Sequence, residues 1–204
     1  TAEAPADKER LSNLANAVML LVNEMVKRSE QQLNDSGKVL QEVMSAAADA
    51  NGEWYVPLTD GQVEAMRQRL LDNQEQLDEA LLSNAFAWIK KCNEDGFDTM
   101  AQLIQKVLQL YAAIQLKGEE TSGVAGIINE LLYADEKYWG TILQKHASAG
   151  ELAEPAFMEE LQRRMEVVVL GLQSGSYAQR VQAEYLKEVE ARAKGVFVKL
   201  AEAS

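Results

Sequence analysis

Only three prolines, Pro5, Pro57 and Pro155, occur in this 204-residue chain. Proline removes a backbone donor and clashes with the preceding turn, so a chain nearly free of it can carry helix over long stretches. Between the prolines the sequence is dominated by Ala, Leu, Glu, Gln, Met and Lys, side chains that lose little rotamer freedom in a helix. No useful length alternates apolar and polar residues with period two, so no sheet is expected. The prediction is an all-α fold of about seven to nine helices, an irregular multi-helix bundle or a short stack of antiparallel helical hairpins. It places a disordered lead over residues 1–6 and a single all-helical domain over 7–204.

The apolar spacing divides the chain into helices. Asp7 can cap a first helix whose core face is Leu11, Leu14, Val18, Leu21 and Met25, a three-four spacing that makes a seam for a partner helix. The seam lapses at Arg28 and Gln32, which suits a bundle helix, and a break is expected at Asn34-Asp35-Ser36-Gly37. A second helix carries Val39, Leu40, Val43 and Met44 and ends near Asn51-Gly52. Glu53 to Leu58 is non-helical, and Thr59 with Gln62 forms a capping box for the next helix, with Val63, Met66, Leu70 and Leu71 inward and an end or kink at Asn73.

The stretch Leu77 to Ile114 reads as the organising hairpin. Leu77, Leu81, Ala85, Trp88, Ile89 and Cys92 share one stripe, Gly96 closes the helix, and Asp98 caps the following one. The second helix faces Leu103, Ile104, Val107, Leu108, Tyr111 and Ile114 inward. A loop at residues 118–123 precedes a helix bearing Ile127, Ile128, Leu131 and Leu132, which continues or kinks near Asp135 into Trp139, Ile142 and Leu143. Pro155 suits the first position of a helix carrying Phe157, Leu161, Met165, Val168 and Leu172. The last helix runs from Tyr177 with Val181, Tyr185, Val189, Ala193, Val196 and Leu200 on one side.

Composition then narrows function. The chain is 47% apolar and 25% charged, an ordinary globular balance, with a net charge of −12. A surface that acidic repels phosphate backbones and anionic headgroups, which argues against nucleic acid and direct membrane docking. Met19-Leu20-Leu21-Val22 is far too short to span a bilayer. The doublets Lys90-Lys91 and Arg163-Arg164 read as solvated faces. The small, Ala- and Pro-rich start at Thr1 matches a mature protein whose targeting peptide has been removed, and a boundary chosen for expression matches it equally.

Catalytic patterns are sought without success. His146 is the only histidine and Leu143 stands three residues before it, so the Glu-x-x-His pairs of a di-iron bundle are missing. Cys92 and His146 lack zinc spacing, and Cys92 lies on an apolar stripe as a small core residue. The Gly118 to Gly123 loop has no Lys to hold a phosphate. Asn93 to Asp98 is too short for a calcium loop and is accounted for by capping. No catalytic residue, metal ligand or cofactor is assigned.

Aromatic residues beside loops are either lids over the core or anchors for a partner. Trp54 and Tyr55 are one such pair. Tyr133, Tyr138 and Trp139 fall on more than one helical face, so at least one is expected to be exposed, and this region is the preferred protein interface.

Gln76-Leu77-Asp78-Glu79-Ala80-Leu81, then Ala87-Trp88, Leu110-Tyr111, and Leu131-Leu132 leading to Asp135-Glu136, resemble an uncharacterised family of chloroplast-targeted all-helical proteins of plants and algae. The similarity extends back to Val39-Leu40-Gln41-Glu42 and forward through the Pro155 helix. It implies a soluble, non-enzymatic plastid protein, stromal or peripheral to the thylakoid. The expected role is an extrinsic subunit or an assembly and stabilising factor docked on a photosynthetic membrane complex, a photosystem or light-harvesting antenna, through a basic face of that partner. The alternative is a helical scaffold for a stromal client protein or RNA, and RNA requires a basic surface that a net −12 opposes.

Overall fold

A computed structural model describes residues 3–202 and, within the first helix, the side chains of residue 10 and of residues 12 onward. Among the described residues eight α-helices follow one another: α1 (Glu3–Ser45), α2 (Asp60–Asp72), α3 (Glu79–Asp95), α4 (Asp98–Leu116), α5 (Gly123–Tyr133), α6 (Trp139–Ser148), α7 (Glu154–Gly171) and α8 (Tyr177–Glu202). Among the described residues there is no strand, and the fold is the expected all-α multi-helix bundle.

The Leu77–Ile114 hairpin does organise the rest. α4 is buried on nearly every face, through Leu103, Ile104, Val107, Leu110, Tyr111 and Ala112, and it packs against α1, α2, α3, α5 and α8. The tight turn before it works as its residues dictate. Gly96 adopts φ +76° and, with Phe97, donates its N–H to the Cys92 carbonyl, ending α3. Asp98 is the first residue of α4 and its cap position belongs to Phe97, which makes no side-chain capping bond. Trp88 is 48% exposed where an inward position was expected. Burial of Leu82 beside Leu81, Ala85 and Cys92 rotates the inward arc of α3, and at 100° per residue Trp88 falls on its edge.

Local signals set most other ends. Thr59 accepts from the Gln62 N–H while the Gln62 side chain accepts from the Thr59 N–H, the expected capping box. The Gln62 amide also donates to the Ala47 carbonyl at 2.7 Å, tying α2 to the end of α1. Asn73 ends α2, and Leu71 is exposed where an inward position was expected, because the buried line of the helix runs through Val63, Met66 and Leu70. Asp135 caps a short turn that kinks the chain between α5 and α6. Pro155 sits in the first turn of α7, where its missing N–H leaves no carbonyl unpaired. Gly126 lets the chain at Thr121 lie directly on α5, since a Cβ there would sit 2.6 Å from the Thr121 carbonyl carbon.

The largest departure is in α1. The expected break at Asn34 to Gly37 is absent, and helix runs unbroken through it. The polar side chains that should have stopped it are bonded along the helix and to α3. Ser36 Oγ donates to the Leu33 carbonyl, Gln31 and Lys38 both bond Asp35, and Asn84 of α3 donates to Leu33 O at 2.9 Å and Ser36 Oγ at 3.0 Å. Tertiary partners therefore override a local propensity to turn. The helix also begins at Glu3, inside the stretch read as a lead, so Asp7 lies within it; Thr1 and Ala2 are outside the described residues.

Candidate protein interface

The five aromatic residues singled out in the sequence separate into two kinds. Trp54 is half-buried against the core and its Nε1–H donates to the Met44 carbonyl at 2.8 Å, so it is a lid. Trp139 is 2% exposed, meets Tyr185 edge-on at 5.8 Å and donates to the Ala134 carbonyl. It belongs to the core and cannot reach a partner, because the kink before α6 turns it inward. Tyr55, Tyr133 and Tyr138 are exposed.

The segment from residue 133 to 139 is braced on three sides. From α2, Asp60 accepts from the Tyr138 hydroxyl at 2.7 Å and pairs with Lys137, while Glu64 accepts from the Tyr133 hydroxyl. From α4, Lys106 pairs with Asp135, and from α8 Arg192 pairs with Glu136. Arg67 is buried beneath, donating to the Tyr133 carbonyl and to Glu64 with its guanidinium 3.9 Å from the Tyr133 ring centre. Its Nε is the one buried side-chain polar atom without a partner among the described residues. The hydrogen bond to Asp60 raises the Tyr138 phenol above its usual range, and the bonds from Lys137 and Tyr138 lower the Asp60 carboxyl. The exposed rings thus have their polar ends already engaged, which makes this segment a clasp with an aromatic outer face. Beside it, Val56, Pro57, Gln102, Gln109 and Arg192 border a shallow groove of about 460 Å³.

Two further buried basic side chains, Arg164 and His146, serve as braces. Arg164, read from sequence as solvated, is buried. It donates to the Leu116 carbonyl at the end of α4, to Ala125 O and to Asn129 Oδ1, and it pairs with Glu160. Asn129 in turn bonds Gly118 and Glu120, so the 117–122 loop is pinned from behind. The signal was present in the spacing: Phe157, Leu161, Arg164 and Val168 form one stripe.

His146 is also buried, with Nδ1 2.6 Å from Glu151 and Nε2 2.8 Å from Glu130. Both ring nitrogens face carboxylates, first Glu151 and then Glu130, which raises the imidazole above its usual pKa and lowers Glu130. A histidine pinned this way holds α5, α6 and the following loop together as an imidazolium and has no free nitrogen to act as a base. Its raised pKa means that the stabilisation is complete below the unfolded value of about 6.5 and is lost as pH rises through the folded value. The lowered Glu130 adds stability above its unfolded value that is lost in acid. His146→Gln is therefore expected to flatten the decline in thermal stability between mildly acidic and mildly alkaline pH. Equal pH slopes for the two proteins in melting curves would refute the pairing of His146 with Glu130 and Glu151.

The least expected surface is the first half of α1. Every described side chain from residue 12 to residue 34 is exposed, so roughly 33 Å of helix stands clear of the bundle. The seam read as a core face is in solvent: Leu14 is 62%, Leu21 65% and Met25 71% exposed, and Val18 is exposed with them; the side chain of Leu11 lies outside the described residues. At 100° per residue these four fall within about 60° of one another, on the same line as Ser36, Val39 and Val43, which are buried in the bundle. One stripe runs the length of the helix and only its second half is covered. Contiguous exposed apolar surface of this kind marks a site of interaction.

Among the described residues no helix is long and apolar enough to cross a membrane, and no cluster of three or more His, Cys, Asp or Glu could hold a metal ion. No family model matches the chain, and no curated protein or solved structure is significantly similar to it.

Proposed function

We propose that this chain is a non-catalytic interaction protein, a braced acidic head that presents a long apolar helix to a protein partner. The observation that carries the reading is the uncovered stripe of α1, Leu14, Val18, Leu21 and Met25. An amphipathic helix laid against an apolar face is a recurring recognition mode. The buried polar side chains add support, since Arg164, Asn129 and His146 are all engaged in holding the fold. In the plastid setting implied by the sequence resemblance, the protein acts as an extrinsic subunit or assembly factor docked on a photosynthetic membrane complex. The net charge of −12 suits a basic docking face on that complex.

The test is affinity capture from thylakoid membranes with the tagged full chain, followed by mass spectrometry. Subunits of a photosystem or antenna complex should be enriched at low salt and depleted at 0.5 M salt, roughly, where the Debye length falls below about 5 Å. Absence of any such subunit at low salt, with the protein folded by circular dichroism, would end the photosynthetic reading.

A further inference from the structure

We infer that the occupant of the exposed α1 stripe is a second copy of this chain, paired with it in antiparallel orientation. The inference rests on the reading of α1 as a protein-docking helix and names what docks there.

Three observations point to self-pairing. The first is the symmetry of the stripe. In an antiparallel pair whose two-fold axis passes between residues 19 and 20, Leu14 meets Met25 of the other copy and Val18 meets Leu21, and each contact occurs twice. The same four residues therefore satisfy one another without any further sequence. The second is charge. From residue 10 to residue 33 the helix carries Arg10, Lys27 and Arg28 against Glu24 and Glu30, so it is close to neutral within a chain of net charge −12. Antiparallel pairing brings the near-neutral segments together and holds the two acidic heads apart by roughly 45 Å, several Debye lengths. A parallel pair would set the heads side by side and place Arg28 against its own copy on the seam, a like-charge contact. The third is area. Leu14, Val18, Leu21, Val22 and Met25 are all about half exposed or more, and covering them in both copies buries on the order of 1,000 Å², the lower bound for a specific interface.

Leu20 supplies a control. It is 70% exposed but lies on the opposite side of the helix, so it takes no part in the seam. The dimer would be a rod with an acidic head at each end, both free to engage a partner, and such bivalent attachment tightens binding without new contacts.

The experiment is sedimentation equilibrium of the purified full chain from low to several hundred micromolar. The wild type should sediment at twice the 22.6 kDa chain mass. Val18→Glu and Leu21→Glu should each raise the dimer dissociation constant at least ~100-fold by burying an unpaired charge, with the melting temperature of the head unchanged. Leu20→Glu should leave the dimer intact. Arg28→Cys should not form a disulfide with itself, since antiparallel pairing places the two copies roughly 25 Å apart along the axis; Cys92 is buried and does not interfere. A monomer throughout, a dimer indifferent to Val18→Glu, or ready self-linking of Arg28→Cys would each overturn the inference. Because purified protein alone is used, a monomeric result leaves the capture experiment on thylakoids standing as a separate question.

Discussion

Arg164→Met is expected to destabilise the fold by about 3–5 kcal/mol, a fall of roughly 10 °C in melting temperature for a chain of this size. The guanidinium satisfies Leu116 O, Ala125 O and Asn129 Oδ1 and neutralises Glu160, whose side chain is itself largely buried. Truncation removes the buried half of the Glu160 pair and the guanidinium donors to Leu116 O and Ala125 O, and leaves Glu160 to Arg163 and Asn129 Oδ1 to the Gly118 N–H alone. Arg163 is the internal comparison. It grips the same Glu160 through two bonds of 2.7 Å but stands in solvent, where an ion pair contributes about 0–1 kcal/mol. Thermal unfolding of Arg163→Met and Arg164→Met should therefore differ by several degrees. Matching transitions would show that Arg164 is not the brace of the 117–122 loop.

Trp139→Ala is expected to cost about 3–5 kcal/mol, as for other fully buried aromatic residues cut to alanine. The indole fills space against Tyr185 and bonds the Ala134 carbonyl, so its removal opens a cavity behind the kink between α5 and α6. Its neighbour Tyr138 lies in solvent and loses with its side chain only the bond to Asp60 and a cation over its face, a much smaller effect. Chemical denaturation of the two variants decides between core and surface roles. A Trp139→Ala protein as stable as Tyr138→Ala would contradict the packing.

The contrast between these residues also shows what could be read from the sequence. Features made by neighbours in the chain were legible: the Thr59–Gln62 box, the turn at Gly96 and the α4 face all follow from residues a few positions apart, whereas near Asp135 those residues leave a continuous helix and a kink both open. Arg164 stands on the buried stripe of α7, but what it holds was not legible, because its acceptors come from the end of α4 and from α5, which no local window contains. The helix through Asn34 to Gly37 was missed for the same reason, since Asn84 of α3 supplies the decisive bonds. The α1 stripe is the reverse case. Its spacing was recognised, and spacing states that a face wants covering without stating what covers it. A bundle core is the cover such spacing ordinarily implies, and here the bundle ends near Ser36. Of the aromatic candidates, the sequence placed the group correctly near loops but could not resolve which side of a kink each ring would take.

Glu79 has a consequence for how the molecule opens. Its carboxylate, on the first residue of α3, accepts from the backbone N–H groups of Tyr177 and Ala178, the first turn of α8, 98 and 99 residues away. Tyr177 stacks on Phe86 of α3 at 5.2 Å, and Arg180 lies over the same ring. The anion meets the positive end of the last helix, so the end of a helix that would ordinarily fray first is fastened to the α3–α4 hairpin. The last helix cannot peel away by degrees from its N-terminal end, and release there requires the start of α3 to give way as well. Loss of this one carboxylate is therefore expected to speed amide exchange in the first turn of the last helix.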